Sequence, residues 1–127
     1  MKLIIESDRI PENFTGIVEY ANGYKYWYLN GKRHREDGPA VECADGSKCW
    51  YRNGELHRED GPACEYASGN KSWYLNGKCH RESGPAIECA NGNKFWYLNG
   101  IEYTESSYKA EIAKRSNSNP CNGKVVE

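Results

Sequence analysis

Three segments of this chain carry the residues of acid–base or metal chemistry at a fixed spacing. They are His34-Arg35-Glu36-Asp37, His57-Arg58-Glu59-Asp60 and His80-Arg81-Glu82-Ser83, each 23 residues from the last. An imidazole with a carboxylate close by is the equipment of a general base, and imidazoles on successive repeats could form a ligand ladder. The competing reading is structural: each ring packs against a cross-strand tryptophan, while the arginine and the acids satisfy one another near a bend. The fourth repeat has Tyr103 at the histidine position, opposite Trp96. Tyrosine preserves aromatic packing but not imidazole ligation. The structural reading is therefore preferred, and no catalytic residue, metal or cofactor is expected.

A second constellation is aromatic and basic. The chain has 10 Tyr and 4 Trp, with Arg33, Arg35, Arg52, Arg58 and Arg81 among them. Rings beside guanidinium groups can stack the bases of single-stranded nucleic acid or of a nucleotide. Lys and Arg number 17 against 18 Asp and Glu, so no field of one sign draws the chain onto nucleic acid or an anionic membrane. A small nucleotide-like ligand is penalised less than a polymer. Tyr, Trp and Arg are also the residues of protein-binding hot spots. No phosphate loop, nucleophile elbow, zinc-protease helix or dinucleotide glycine fingerprint is present. The six cysteines replace apolar or variable residues one repeat at a time, and none forms a C-x-x-C pair. That pattern fits reduced thiols used as small hydrophobes rather than a disulfide framework.

These residues sit on a repeat. Blocks 20–42, 43–65, 66–88 and 89–103, the last partial, align without a gap. A period of this size means one supersecondary unit stacked on copies of itself. The pairs Asn30-Gly31, Asn53-Gly54, Asn76-Gly77 and Asn99-Gly100 predict two-residue hairpins of type I′. Gly23, Gly46, Gly69 and Gly92 close a second, three-residue turn. The two turns set a register. Glu19, Glu42, Glu65 and Glu88 should face Lys25, Lys48, Lys71 and Lys94, and Trp27, Trp50, Trp73 and Trp96 should face Ile17, Ala40, Ala63 and Ala86. The tryptophans are assigned a structural role, each internal one lying between an alanine and a histidine. Tyr28, Tyr51, Tyr74 and Tyr97 then point to the opposite face, because neighbours alternate along a strand. Gly-Pro at 38–39, 61–62 and 84–85 should break each second strand and kink the array. The fold expected is a single-layer antiparallel meander of stacked hairpins.

Both ends read as caps. Residues 1–19 supply closing strands, with Lys2–Glu6 a short strand, and 14–19 imitate the end of a block. Thr104 is an N-cap for a helix over 104–115, with Tyr103 and Tyr108 as a hydrophobic staple. Residues 116–127 read as a flexible tail. No apolar run approaches membrane-spanning length. The opening residues are too acidic for a secretory signal, which points to the cytoplasm.

The motif W-Y-x-N-G-K-x-H-R-E-D-G-P-A, carried by Trp27, Asn30, Gly31, Lys32, His34 and Gly38 and repeated in the next two blocks, resembles MORN-type repeats. It is similar to the bacterial and bacteriophage variant, with H-R-E-D-G-P-A where the eukaryotic form has His-Gly-x-Gly. The resemblance implies a sheet of stacked hairpins that acts through protein contacts. A bacteriophage source would place the chain in the host cytoplasm, with inhibition of a host defence protein as a natural role.

The expectation is thus a non-enzymatic scaffold binding a protein partner. The binding residues are expected among Tyr28, Tyr51, Tyr74, Tyr97, Arg35, Arg58, Arg81, His34, His57 and His80. The alternatives are sequestration of a nucleotide-like molecule between rings and arginines, and, behind it, an enzyme using the histidines. A homodimer through the Lys2–Glu6 edge is a further expectation.

Overall fold

The Asn-Gly pairs bend the chain as their chemistry requires. Asn30, Asn53, Asn76 and Asn99 have φ of 51, 50, 49 and 51°, and the glycines after them 82, 83, 81 and 82°. Positive φ at both central residues is the type I′ signature, and Asn and Gly are the residues that tolerate it.

The computed structural model describes residues 10–117. β1 (Gly16–Glu19) precedes the first block. Block one supplies β2 (Lys25–Leu29), β3 (Lys32–Arg33) and β4 (Val41–Glu42). Block two supplies β5 (Lys48–Cys49), β6 (Tyr51–Arg52), β7 (Glu55–Leu56) and β8 (Cys64–Glu65). Block three supplies β9 (Lys71–Ser72), β10 (Tyr74–Leu75), β11 (Lys78–Cys79) and β12 (Ile87–Glu88). Block four ends the sheet with β13 (Lys94–Leu98) and β14 (Ile101–Tyr103), and α1 (Glu105–Asn117) follows. The expected strand at Lys2–Glu6, the dimer edge built on it and the tail beyond Asn117 lie outside the described residues.

The main sheet is open and antiparallel, in the order β1-β2-β4-β5-β8-β9-β12-β13-β14, with β3 beside β2. The hairpins β6–β7 and β10–β11 branch from it as two-stranded ladders. The register follows the turns. Glu19 faces Lys25, Glu42 faces Lys48, Glu65 faces Lys71 and Glu88 faces Lys94. Each lysine before Lys94 also meets the glutamate on its other side, as Lys48 meets Glu65. Opposite charges thus alternate across the sheet, each pair worth some tenths of a kcal/mol, about 0.2–1.

The core is thin. Val18, Ala40, Ala63, Ala86 and Leu98 are fully buried, with Val41, Cys64 and Cys79 nearly so. The tryptophans and the tyrosines after them are half-buried on both faces. An unlayered sheet of this kind gains its stability from contacts between neighbouring blocks rather than from one central core.

The helix meets its expected start and passes its expected end. The Ser107 N–H donates to Thr104 Oγ1 at 3.1 Å, a side-chain N-cap. α1 continues past Arg115 to Asn117, so Ser116 and Asn117 belong to it rather than to a tail. Tyr108 buries its ring against Trp96, with centroids 6.4 Å apart. No described helix is long and apolar enough to cross a membrane.

Candidate functional site

In blocks two and three the strand divides at the tryptophan. The Trp50 N–H donates to Ala63 O at 2.7 Å, while Trp50 O accepts from the His57 N–H at 3.0 Å. Trp27 is joined in the same way to Ala40 and His34, and Trp73 to Ala86 and His80. The segment H-R-E-D-G-P-A is therefore a loop with both ends fastened to one tryptophan. Each internal tryptophan does bond a histidine on one side, but the alanine that accepts from it is that of its own block, Ala63 for Trp50 and Ala86 for Trp73, rather than the expected one of the preceding block.

An arginine fills each loop. The Arg35, Arg58 and Arg81 guanidinium carbons lie 4.0, 3.7 and 3.7 Å from the ring centroids of Trp27, Trp50 and Trp73. In block two, Arg58 Nε donates to Asp60 Oδ1 at 2.9 Å, and Nη1 donates to Pro62 O at 3.0 Å and Glu65 Oε2 at 3.1 Å. Block one repeats this with Asp37, Pro39 and Glu42 at 3.0, 3.1 and 3.4 Å. The group above the tryptophan is thus arginine, where the sequence pointed to histidine. Arginine is suited to the position because its planar fork stacks on a ring while donating at its edge.

Gly38, Gly61 and Gly84 owe their identity to that arginine. Their φ angles are not positive. A Cβ at Gly38, Gly61 or Gly84 would meet the arginine Cζ at 3.0, 2.9 or 3.2 Å. The chain does bend before each Gly-Pro, as expected. The glycine is needed there for close approach rather than for backbone freedom.

The histidines tie one block to the next. His34 Nδ1 accepts from the Asn53 N–H at 3.0 Å, His57 Nδ1 from Asn76 at 2.9 Å and His80 Nδ1 from Asn99 at 2.9 Å. A backbone amide only donates, so Nδ1 holds a lone pair and Nε2 carries the proton. Nε2 then donates to Glu36, Glu59 and Glu82 at 3.2, 3.2 and 3.1 Å. Both ring nitrogens are occupied. In block four Tyr103 stands at the histidine position. At the other end the Asn30 N–H donates to Thr15 Oγ1 at 2.9 Å, so a hydroxyl does the work of a missing imidazole. Thr15 was not singled out by its sequence, because a lone threonine outside the repeat carries no spacing signal.

Tyr28, Tyr51, Tyr74 and Tyr97 stand on the face opposite the loops. Arg33 lies over the rings of Tyr26 and Tyr51, at 5.1 and 5.5 Å. Tyr26 stacks on Tyr28 at 6.4 Å, and Phe14 and Tyr20 meet them edge-on at 6.0 and 5.8 Å. Arg33 has no carboxylate partner among the described residues, unlike Arg35, Arg58 and Arg81. Burial of the Tyr26 hydroxyl raises its pKa, and Arg33 partly offsets this.

The same face carries thiols. Cys43, Cys49, Cys64, Cys79 and Cys89 are all free. Cys49 and Cys64 are directly opposed across β5 and β8. Cys64 is drawn down to about 7 by hydrogen bonds from Cys49 first, then Tyr66 and Ser72, against its burial. Cys49 moves up, chiefly through the same bond and then through burial. Burial pushes Cys79 up to about 11. Among the described residues no group of three or more His, Cys, Asp or Glu is placed to hold a metal ion.

Two clefts of 560 and 640 Å³ lie between successive loops. Trp50 and Trp73 form their walls, and Glu36, Asp37, Glu59, Asp60 and Glu82 stand along them. Glu36 and Asp37 are 75 and 87 % exposed. The loop face is therefore rimmed with carboxylate, with the loop arginines Arg35, Arg58 and Arg81 turned inward and the exposed Arg52 in the wall of the 560 Å³ cleft, whereas the tyrosine face offers rings and Arg33. Compared with protein-family models, with curated proteins and with solved structures, the chain has no match.

Proposed function

We propose that this chain is a non-enzymatic repeat scaffold that binds a protein partner through its tyrosine face, centred on Tyr26, Tyr28, Tyr51 and Arg33. The observation that carries the reading is the division of labour between the two faces. With the exception of Arg81 Nε, the loop arginines bond carboxylates and carbonyls of their own blocks, and the histidines bond through both ring nitrogens. Arg33 and its tyrosines are half-exposed and carry the composition of a binding hot spot. The engaged histidines favour a scaffold over an enzyme. The acidic cleft rims count against a polyanionic nucleotide. The resemblance to bacteriophage MORN-type repeats supports the same reading and extends it to a host defence protein as partner, met in the host cytoplasm. The test is a paired substitution. Arg33→Ala with Tyr51→Ala should abolish capture of the partner while the melting temperature holds within a few degrees. Retained capture by a folded double variant would reject the face.

A further inference from the structure

Blocks one and two close each arginine with an aspartate. Arg35 Nε donates to Asp37 at 3.0 Å and Arg58 Nε to Asp60 at 2.9 Å. Block three keeps the arginine and lacks the acid, since the residue in that position is Ser83. The rest of the unit is intact. Arg81 Nη1 still donates to Pro85 O at 3.0 Å and Glu88 Oε2 at 2.9 Å, and the guanidinium still lies 3.7 Å from the Trp73 centroid. The Arg81 side chain is as buried as its equivalents, 22 % exposed against 23 and 21 %. Its Nε is the buried side-chain polar atom that has no hydrogen-bond partner among the described residues. A buried donor of a charged group left unbonded costs more than most contacts gain.

We propose that the 640 Å³ cleft between the second and third loops binds a ligand carboxylate on Arg81 Nε, at the place Asp60 occupies on Arg58. The cleft is lined by Arg58, Glu59, Asp60, Trp73, Arg81 and Ser83, so the arginine that carries the unbonded donor and the serine at the aspartate's position both border it. The surroundings tolerate an anion there. Arg58 holds Asp60 although it is also bonded to Glu65 and sits next to Glu59. Arg81 has the corresponding Glu88 and Glu82 and one carboxylate fewer. A ligand reaching the buried Nε requires the third loop to shift, and the side chains next to Arg81 in that loop lie at the surface, with Ser83 exposed and Glu82 65 % exposed. Glu59 and Asp60, 69 and 87 % exposed on the opposite wall, set the second requirement, a positive charge beside the carboxylate. The ligand is therefore zwitterionic in character: a free amino acid, or an acidic side chain flanked by basic ones in a polypeptide. This site lies on the face opposite the tyrosines and stands or falls independently of the partner surface.

The test follows the Nε–Hε resonances of Arg35, Arg58 and Arg81 in labelled full-length protein at constant pH and ionic strength. Sodium acetate, free lysine and a capped Lys-Asp-Lys peptide are titrated in turn. Arg81 should move saturably while Arg35 and Arg58 stay fixed, and acetate should be the weakest of the three. Saturation by lysine identifies a free amino acid as the source, and saturation by the peptide alone identifies a polypeptide. Ser83→Asp, which supplies the carboxylate internally, should weaken binding by at least about tenfold. Asp60→Ser should make Arg58 respond as Arg81 does. Movement of Arg81 no different from that of Arg35, or binding undiminished in Ser83→Asp, would overturn the proposal. Acetate binding as tightly as lysine would overturn the requirement for a cation.

Discussion

Arg58 stacks on Trp50 and bonds Asp60, Pro62 O and Glu65 with a side chain that is 21 % exposed. Arg58→Ala removes the stacking on Trp50 and all of these bonds, so it should destabilise the protein by about 2 kcal/mol in chemical denaturation. Arg58→Lys should recover only part of the loss, because an ammonium cannot stack and fork at once. His57→Phe strips the acceptor from the Asn76 N–H and should cost about 1–3 kcal/mol. Cys79 adds a pH dependence. Its folded pKa, about 11, lies above the ordinary thiol value of 9.0, so burial favours the protonated form. The resulting stability is complete below pH 9.0 and is lost as pH rises toward 11. Cys79→Val should therefore lose less stability than the wild type between pH 9.0 and 10, measured by denaturant midpoint at each pH. The arginine–tryptophan pairing was hidden in the sequence because it depends on a loop folding back on its own strand. The histidine bond was hidden because it reaches 19 residues into the next block. What recurs in the first three blocks, Arg with Gly-Pro three residues later, is visible in the sequence, but it reads there as a backbone break rather than as the space a guanidinium needs.

At the scale of the element, the hairpins were legible because their determinants are local. Asn-Gly fixes a turn within two residues, and the Glu–Lys pairs follow once two turns are placed. The splitting of the W-Y strand at Trp50 and at Trp73 was not legible. It arises because the residues before the ring pair with the end of the preceding block and the end of their own, whereas those after it pair across the Asn-Gly turn. α1 is held by particular bonds. The Tyr108 hydroxyl donates to Arg81 O at 2.6 Å and accepts from the Gly84 N–H at 3.1 Å. Tyr108→Phe should cost about 1–2 kcal/mol and expose the backbone of the third loop, read as faster amide exchange at Gly84 than in the wild type. Thr104→Ala should cost about 1 kcal/mol through loss of the cap.

The whole molecule behaves as a short one-dimensional array. Each block touches mainly its neighbours, so removing residues 66–88 should leave a folded protein with a smaller denaturant slope rather than an unfolded chain. The same architecture separates two surfaces. One is consolidated by arginine loops and rimmed with acids, and the other presents Tyr26, Tyr28, Tyr51 and Arg33. The repeat was enough to read the sheet and its two faces from the sequence. It did not show which face spends its polar groups internally, because that depends on which arginine reaches a carboxylate. The sharpest test is calorimetric titration of the captured partner into wild type, Arg33→Ala/Tyr51→Ala and Asp37→Asn/Asp60→Asn proteins of matched melting temperature. Loss of at least about 30-fold in affinity in the tyrosine-face variant alone is the expected result. Unchanged affinity there, or a comparable loss confined to the acidic-rim variant, would contradict it.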